Sequence, residues 1–114
     1  MTTPLDVDAL VLINELLTGN KCSEERKFKV QACLSSYLYY DSLQAQIACI
    51  VTSLLKGHFF LDGNKRTAFA IYLDLCQNNN LKILGNEDAL GDIFIRLASG
   101  QGSVEENATV LFPE

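Results

Sequence analysis

A ten-residue segment of this chain combines side chains that suit phosphate chemistry. It runs from Gly57 to Arg66 and contains the only histidine of the chain, His58. Histidine titrates near neutral pH and can take the proton from an attacking hydroxyl. The segment therefore predicts a site that transfers a phosphate-containing group.

The residues after the histidine extend this interpretation. Asp62 carries a carboxylate that could hold a hard cation bridging phosphates. Gly63 and Asn64 stand at a predicted helix start, where backbone N–H groups and the helix dipole attract anions and glycine leaves room for a ligand. Lys65 and Arg66 would add positive charge where negative charge develops in the transition state. We interpret the last four of these residues as the phosphate site, with both cations also catalytic.

Each of these residues also has an ordinary structural explanation. A histidine after a helix-ending glycine is often a capping or surface residue, and Asp-Gly is a common turn. Adjacent lysine and arginine usually form a solvated face. The functional interpretation depends on all of them falling within ten residues at one helix start.

The order of the residues resembles the Fic/Doc family signature, His-x-Phe-x-Asp/Glu-Gly-Asn-x-Arg. The matching residues are His58, Phe60, Asp62, Gly63, Asn64 and Arg66. The resemblance implies a small helical core with a flap ahead of the long helix that leads into the motif. It also implies ATP and Mg²⁺ as cofactors.

Two differences favour the Doc branch of the family. AMP-transferring Fic enzymes have the pattern His-x-Phe-x-x-Gly-Asn-Gly-Arg-x-x-Arg, whereas this chain has Lys65 for the second glycine and Phe69 for the last arginine. The lysine fills space and adds charge, and the missing arginine removes a bidentate phosphate contact. Resemblance to Doc implies a reversed nucleotide whose terminal phosphate is transferred.

The resemblance thus implies a toxin of a toxin–antitoxin pair that phosphorylates a protein hydroxyl. Its implied target is a translation factor, with elongation factor Tu suspected, and its implied inhibitor is an antitoxin of the Phd type. His58 would be the general base and Asp62 the magnesium ligand. Two alternatives stay open: AMP transfer of the Fic type, and a non-catalytic module that uses the loop to bind an anion or a partner.

Apolar spacing along the chain predicts an all-α fold, a small helical bundle that forms a single domain over residues 1–114. An aromatic, β-favouring run at Tyr37–Asp41 predicts a short flap or hairpin near residues 35–42. The helices are expected to begin at Thr3-Pro4, Ser23, Ser42, Asn64, Asn86 and Ser103.

The last predicted helix begins with Ser103-Val104-Glu105-Glu106, which satisfies the capping-box rule. Self-inhibiting Fic proteins carry a helix with Ser or Thr four residues before a glutamate, but Gly102 stands four residues before Glu106. We therefore interpret the segment as a cap and not as an inhibitory motif.

Composition sets outer limits on function. The net charge of −5 disfavours binding to nucleic acid through bulk electrostatics. The four cysteines have no Cys-x-x-Cys pair, which predicts buried thiols and no zinc site. The amino terminus lacks a leader pattern and no segment is apolar for the roughly 20 residues that a membrane span needs. A cytoplasmic protein that does not associate with membranes is expected.

Overall fold

A computed structural model describes residues 7–57, 60, 63–83, 87–100 and 102–112, without the side chains of Cys33, Leu34 and Glu87. Helices account for most of these residues, and these ranges contain no strand, so the all-α prediction is confirmed. The helices are α1 (Val7–Thr18), α2 (Glu24–Leu34), a 3-10 helix (Ser35–Tyr39), α3 (Leu43–Gly57), α4 (Asn64–Asn78), α5 (Glu87–Ala98) and α6 (Val104–Leu111).

Several helices begin where the sequence predicts. The Ser23 hydroxyl accepts a hydrogen bond from the Arg26 backbone N–H at 3.1 Å, and the Ser42 hydroxyl accepts one from the Ala45 N–H at 3.1 Å. These hydroxyls satisfy donors that lack an intrahelical partner. The predicted starts at Thr3-Pro4 and Asn86 lie outside the described residues.

Of the flap or hairpin predicted near residues 35–42, the hairpin is wrong, because Ser35–Tyr39 form the 3-10 helix. Tyr37 and Tyr40 both pack against the core, and a spacing of three residues returns a side chain to the same side of a 3-10 helix. The Tyr40 N–H donates to the Tyr37 carbonyl at 3.2 Å, and the Gln46 side chain donates to the Tyr40 carbonyl at 2.8 Å. Packing onto α3 thus overrides the β preference of the aromatic run.

The core is organised around α3, as its nearly uniform apolar sequence predicts. Ala48, Val51 and Leu54 have no exposed surface. The neighbours of α3 include α4, α5, α6 and the 3-10 helix, whereas α1 packs mainly on α4. The carboxyl end of α3 and the amino end of α4 therefore both adjoin this packed core, and the motif connects them.

A cluster of aromatic rings joins α4 to the later helices. Tyr72 of α4 is fully buried, and its ring centroid lies 6.0 Å from that of Phe94 and 5.9 Å from that of Phe112. Such edge-to-face and tilted pairs add to the stabilisation from burial itself. They hold α5 and the end of α6 against the helix that follows the motif.

Two further predictions can be compared with this architecture. Cys49 and Cys76 are buried free thiols, as expected, whereas Cys22 is only partly buried. Burial raises the pKa of the Cys76 thiol to about 11. Among the described helices, none has the length and apolar character needed to cross a membrane.

Candidate functional site

The site begins at Gly63, the residue that precedes α4. It has φ 74° and ψ 18°, a left-handed conformation that glycine adopts with least strain. A Cβ atom here would lie 2.5 Å from the Thr18 Cγ2 atom at the end of α1. The sequence predicts that Gly63 leaves room for a ligand. The structure adds a second reason for glycine, because a larger residue at position 63 would clash with α1 at the present separation of α1 and α4.

Asn64 ties the motif loop to the helix. Its side-chain Oδ1 accepts from the Phe60 backbone N–H, and its Nδ2 donates to the Phe60 carbonyl, each at 3.0 Å. Phe60 itself is buried in the core. The Asn64 side chain therefore clamps the loop, and its backbone N–H is the part suited to an anion.

A buried polar pair joins α1 to the first turn of α4. The Asn14 side-chain amide of α1 donates to the Thr67 hydroxyl of α4 at 3.0 Å, and both residues are almost fully buried. The Thr18 hydroxyl donates to the Asn14 carbonyl at 2.9 Å. Neither Asn14 nor Thr18 is among the site residues predicted from sequence, although an asparagine on the inward face of an apolar helix is a usable signal.

Arg66 leans toward α1. Its guanidinium donates to the Leu17 carbonyl at 3.4 Å, and one of its terminal nitrogens lies 3.6 Å from the position a Gly63 Cβ would occupy. Carbonyls at a helix end carry partial negative charge and attract a cation. This contact holds positive charge close to the start of α4.

Lys65 stands on the other flank of the helix start. Its side chain is exposed and borders a cavity of about 250 Å³ together with Leu55, Ile95 and Ala98. Lys65 and Arg66 thus diverge toward α5 and α1 respectively. The structure places both cations at the first turn of α4, as predicted from the helix start, and on neighbouring faces of that turn.

An apolar cavity runs along α4 from these cations, and we call it the α4–α5 groove. Its volume is about 400 Å³, within the range of small-molecule sites. Phe69 lies in it, with its ring edge-on to Phe94 at a centroid distance of 6.0 Å. An apolar ring therefore occupies the place of the last arginine in the AMP-transferase pattern. The lining residues are Leu17, Lys65, Arg66, Phe69, Ala70, Leu73, Leu90, Gly91 and Phe94.

A second cavity, of about 440 Å³, lies on the α3 side of the motif, and we call it the hydroxyl cavity. Gly57, the residue directly before His58 in sequence, is one of its lining residues. The Ser36 Oγ and the Cys49 Sγ atoms are 3.7 Å apart. The lining residues are Ser36, Tyr40, Cys49, Thr52, Ser53, Lys56, Gly57 and Val104. The hydroxyl groups of Ser36, Thr52 and Ser53 make the lining of this cavity more polar than that of the groove.

Two of the predicted site residues, His58 and Asp62, lie outside the described residues. Their assignments as base and magnesium ligand stay predictions. In the part of the chain that the structure describes, no three His, Cys, Asp or Glu side chains are grouped to hold a metal ion. Magnesium is commonly bound by one or two carboxylates together with substrate phosphates, so a carboxylate directly before the α4 start suits that ion chemically.

Comparison with known proteins identifies the family. No curated protein sequence and no solved structure matches the chain. A sequence model described as the Fic/DOC family matches residues 5–76, which is more than half of the chain and includes the whole motif. Members of that family are generally transferases and typically use ATP. On the motif and the extent of this match, the chain belongs to the Fic/DOC family.

Proposed function

We propose that this chain is a Doc-type toxin, an ATP-dependent kinase that transfers the γ-phosphate to a protein hydroxyl in the cytoplasm. The observation that carries the proposal is the start of α4. There an uncapped glycine turn carries Lys65 in place of the second glycine of AMP transferases, and an apolar Phe69 in place of their last arginine.

The anion site is the first element of this function. Gly63 provides no side-chain cap, so the amino end of α4 offers backbone N–H groups and the positive end of its dipole. Arg66, held against the α1 carboxyl end, adds charge at the same place. Preorganised charge of this kind is the main source of catalysis in phosphoryl transfer.

The direction in which the nucleotide binds is the second element. Lys65 fills space where backbone amides alone would line an AMP-transferase site, and Phe69 packs on Phe94 and offers no phosphate contact. With these two residues the site favours the terminal phosphate over the α-phosphate.

The acceptor side is the third element. In sequence His58 directly follows Gly57, which lines the hydroxyl cavity, and we propose that the acceptor hydroxyl enters through this cavity. His58 takes the proton of the acceptor hydroxyl, and the acceptor oxygen forms a bond to the γ-phosphorus of ATP. The bond between the γ-phosphorus and the oxygen that bridges it to the β-phosphate breaks, and ADP leaves. Asp62 would hold Mg²⁺, which neutralises phosphate charge when bound.

The proposed partners follow from the resemblance to Doc. The substrate is a hydroxyl of a translation factor, with elongation factor Tu as the first candidate, and the inhibitor is an antitoxin of the Phd type. A short reading frame encoding such an antitoxin directly upstream of the gene would support this part of the proposal.

The deciding experiment measures which phosphate of ATP is transferred. Purified protein is incubated with elongation factor Tu, or with a bacterial lysate, and ATP labelled at either the γ- or the α-phosphate. Label from γ alone supports the kinase, and label from α alone identifies an AMP transferase instead. No transfer by a folded protein favours the non-catalytic binding module. His58→Ala is the control, with transfer expected to fall by ~10²–10⁴-fold.

A variant pair tests the basis for assigning the Doc branch. Lys65→Gly recreates the Gly-Asn-Gly-Arg spacing and is expected to lose γ-transfer and gain weak AMP transfer. Adding Phe69→Arg should strengthen AMP transfer. Phe69→Leu is the matched control, because it also loses the ring contact with Phe94 but brings no charge. Unchanged γ-transfer in folded single and double variants would show that Lys65 does not set nucleotide orientation.

A further inference from the structure

We infer that the α4–α5 groove binds a second copy of this chain, forming a symmetric dimer in which the two α5 helices pack antiparallel. The inference concerns a surface and does not rest on the proposed reaction, although Lys65 belongs to both, and its tests measure association and not transfer. Three observations support it: exposed apolar side chains beside the groove, the fit of Ile95 to the space at Gly91 on one face of α5, and the positions of the opposite charges Asp88 and Lys65.

The first observation is the apolar character of the groove and its rim. Ile95 directly follows the groove residue Phe94 in α5 and is 61% exposed, and Leu16 directly precedes the groove residue Leu17 in α1 and is 76% exposed. Large apolar side chains gathered around an apolar cavity are typical of an interaction surface. The groove thus needs an apolar occupant.

The second observation is Gly91, inside α5. Glycine within a helix costs roughly 1 kcal/mol relative to alanine. A Cβ atom at this position would meet open space, so no contact within the described chain requires glycine here. The missing side chain leaves a hole that a projecting side chain could fill.

Ile95 is the matching projection. It lies four residues after Gly91 and therefore one turn along the same face of α5. In an antiparallel pair with its two-fold axis between these positions, Ile95 of each copy enters the hole at Gly91 of the other. An isologous interface requires such self-complementarity, and here one helix face supplies both halves.

The third observation is charge. Asp88 precedes Gly91 by three residues and Ala98 follows Ile95 by three, so the same register places Asp88 of one copy beside Ala98 of the other. Lys65 borders a cavity with Ala98 and Ile95. Asp88 and Lys65 are both exposed and would meet twice across the axis. This complementarity favours a second copy over an unrelated partner.

Sedimentation measurements over a range of protein concentrations test the dimer. The wild type is expected to reach twice the monomer mass. Ile95→Lys should raise the dimer dissociation constant at least about 30-fold, as for a central interface residue. Phe28→Lys is the matched control, because Phe28 is 74% exposed on α2 and should not affect the dimer. Circular dichroism checks that each variant is folded.

Charge reversal tests the register. Asp88→Lys and Lys65→Asp should each weaken the dimer, and the double reversal should restore it. A wild type that stays monomeric at high concentration, or a dimer unaffected by Ile95→Lys, overturns the inference. A double reversal that stays weaker than both single variants overturns the proposed pairing.

Discussion

Two helices of this chain begin in opposite ways. At α6 the Ser103 hydroxyl accepts from the Glu106 backbone N–H at 3.1 Å, and the Glu106 carboxylate accepts from the Ser103 N–H at 3.0 Å. At α4 the preceding residue is Gly63, which provides no side-chain cap. One helix start is satisfied by its own side chains, and the other relies on neighbouring elements.

The difference leaves the start of α4 better suited than that of α6 to the anion site proposed for it. A capping box uses local donors and acceptors and leaves little for a ligand. The α4 start is held instead by the Asn64 clamp on Phe60, four residues away, and by the long-range pairing of Asn14 with Thr67. Its first turn can therefore be rigid and still present backbone N–H groups to an anion.

The largest expected effect comes from matched glycine substitutions at the two starts. Gly63 and Gly102 both have left-handed backbones, so alanine should cost roughly 1–3 kcal/mol of unfolding free energy at each. Gly63→Ala also meets the Thr18 methyl and should abolish transfer, whereas Gly102→Ala should retain it. Urea unfolding and γ-label transfer measure the two effects.

Thr18→Ser tests the reason given for this difference. Serine keeps the hydroxyl that donates to the Asn14 carbonyl but lacks the methyl that meets a Cβ at position 63. Combined with Gly63→Ala, it should recover part of the lost stability. Equal stability of Gly63→Ala with and without Thr18→Ser would contradict the close approach of α1 and α4.

The next effect concerns the buried pair beneath α4. Asn14→Ala leaves the Thr67 hydroxyl buried without its amide donor, which should cost about 1–3 kcal/mol in unfolding free energy. Asn14→Leu combined with Thr67→Val replaces both partners by apolar groups and should be more stable than Asn14→Ala. Urea unfolding of the three variants provides the measurement, and a double variant less stable than Asn14→Ala would refute the explanation.

A smaller effect is expected at the α6 cap. Ser103→Ala should cost about 1 kcal/mol in unfolding free energy, with transfer unchanged. The Ser103 backbone and side-chain hydrogen bonds lower the pKa of Glu106 below its ordinary 4.5. The stabilisation that the Glu106 carboxylate adds to the folded protein is therefore present above pH 4.5 and lost as the pH falls through the lowered pKa. Urea unfolding of Glu106→Gln should no longer show this pH dependence. A loss of transfer in Ser103→Ala would contradict the difference drawn between the two helix starts.

The smallest effect is a difference in thiol labelling between the end of α4 and the surface. Burial raises the pKa of Cys76 to about 11, and burial with the nearby Glu15 carboxylate raises the pKa of the more exposed Cys22. At pH 9, iodoacetamide should label Cys22 in the folded protein and Cys76 only after unfolding. Peptide mass mapping distinguishes the two, and rapid labelling of native Cys76 would show that this end of α4 is open.

Local features of the chain were readable from sequence. The starts at Ser23, Ser42 and Ser103 are confirmed because a cap acts on an N–H three residues away and depends on few other contacts. The central position of α3 follows from its apolar character. The motif itself also identified the Fic/DOC family, to which residues 5–76 match.

Tertiary packing decided what local rules could not. It turned the aromatic run at residues 35–39 into a 3-10 helix because Tyr37 and Tyr40 both pack on the core. It also decided which side chains contact the helix that follows the motif, since the Asn14 amide donates to the Thr67 hydroxyl across 53 positions of sequence. Residue order and spacing therefore determined the helices and the membership of the Fic/DOC family. The left-handed backbone of Gly63 already favours glycine, and the approach of α1 to α4 adds a second reason that only the tertiary structure supplies, because a Cβ there would meet a methyl group on another helix.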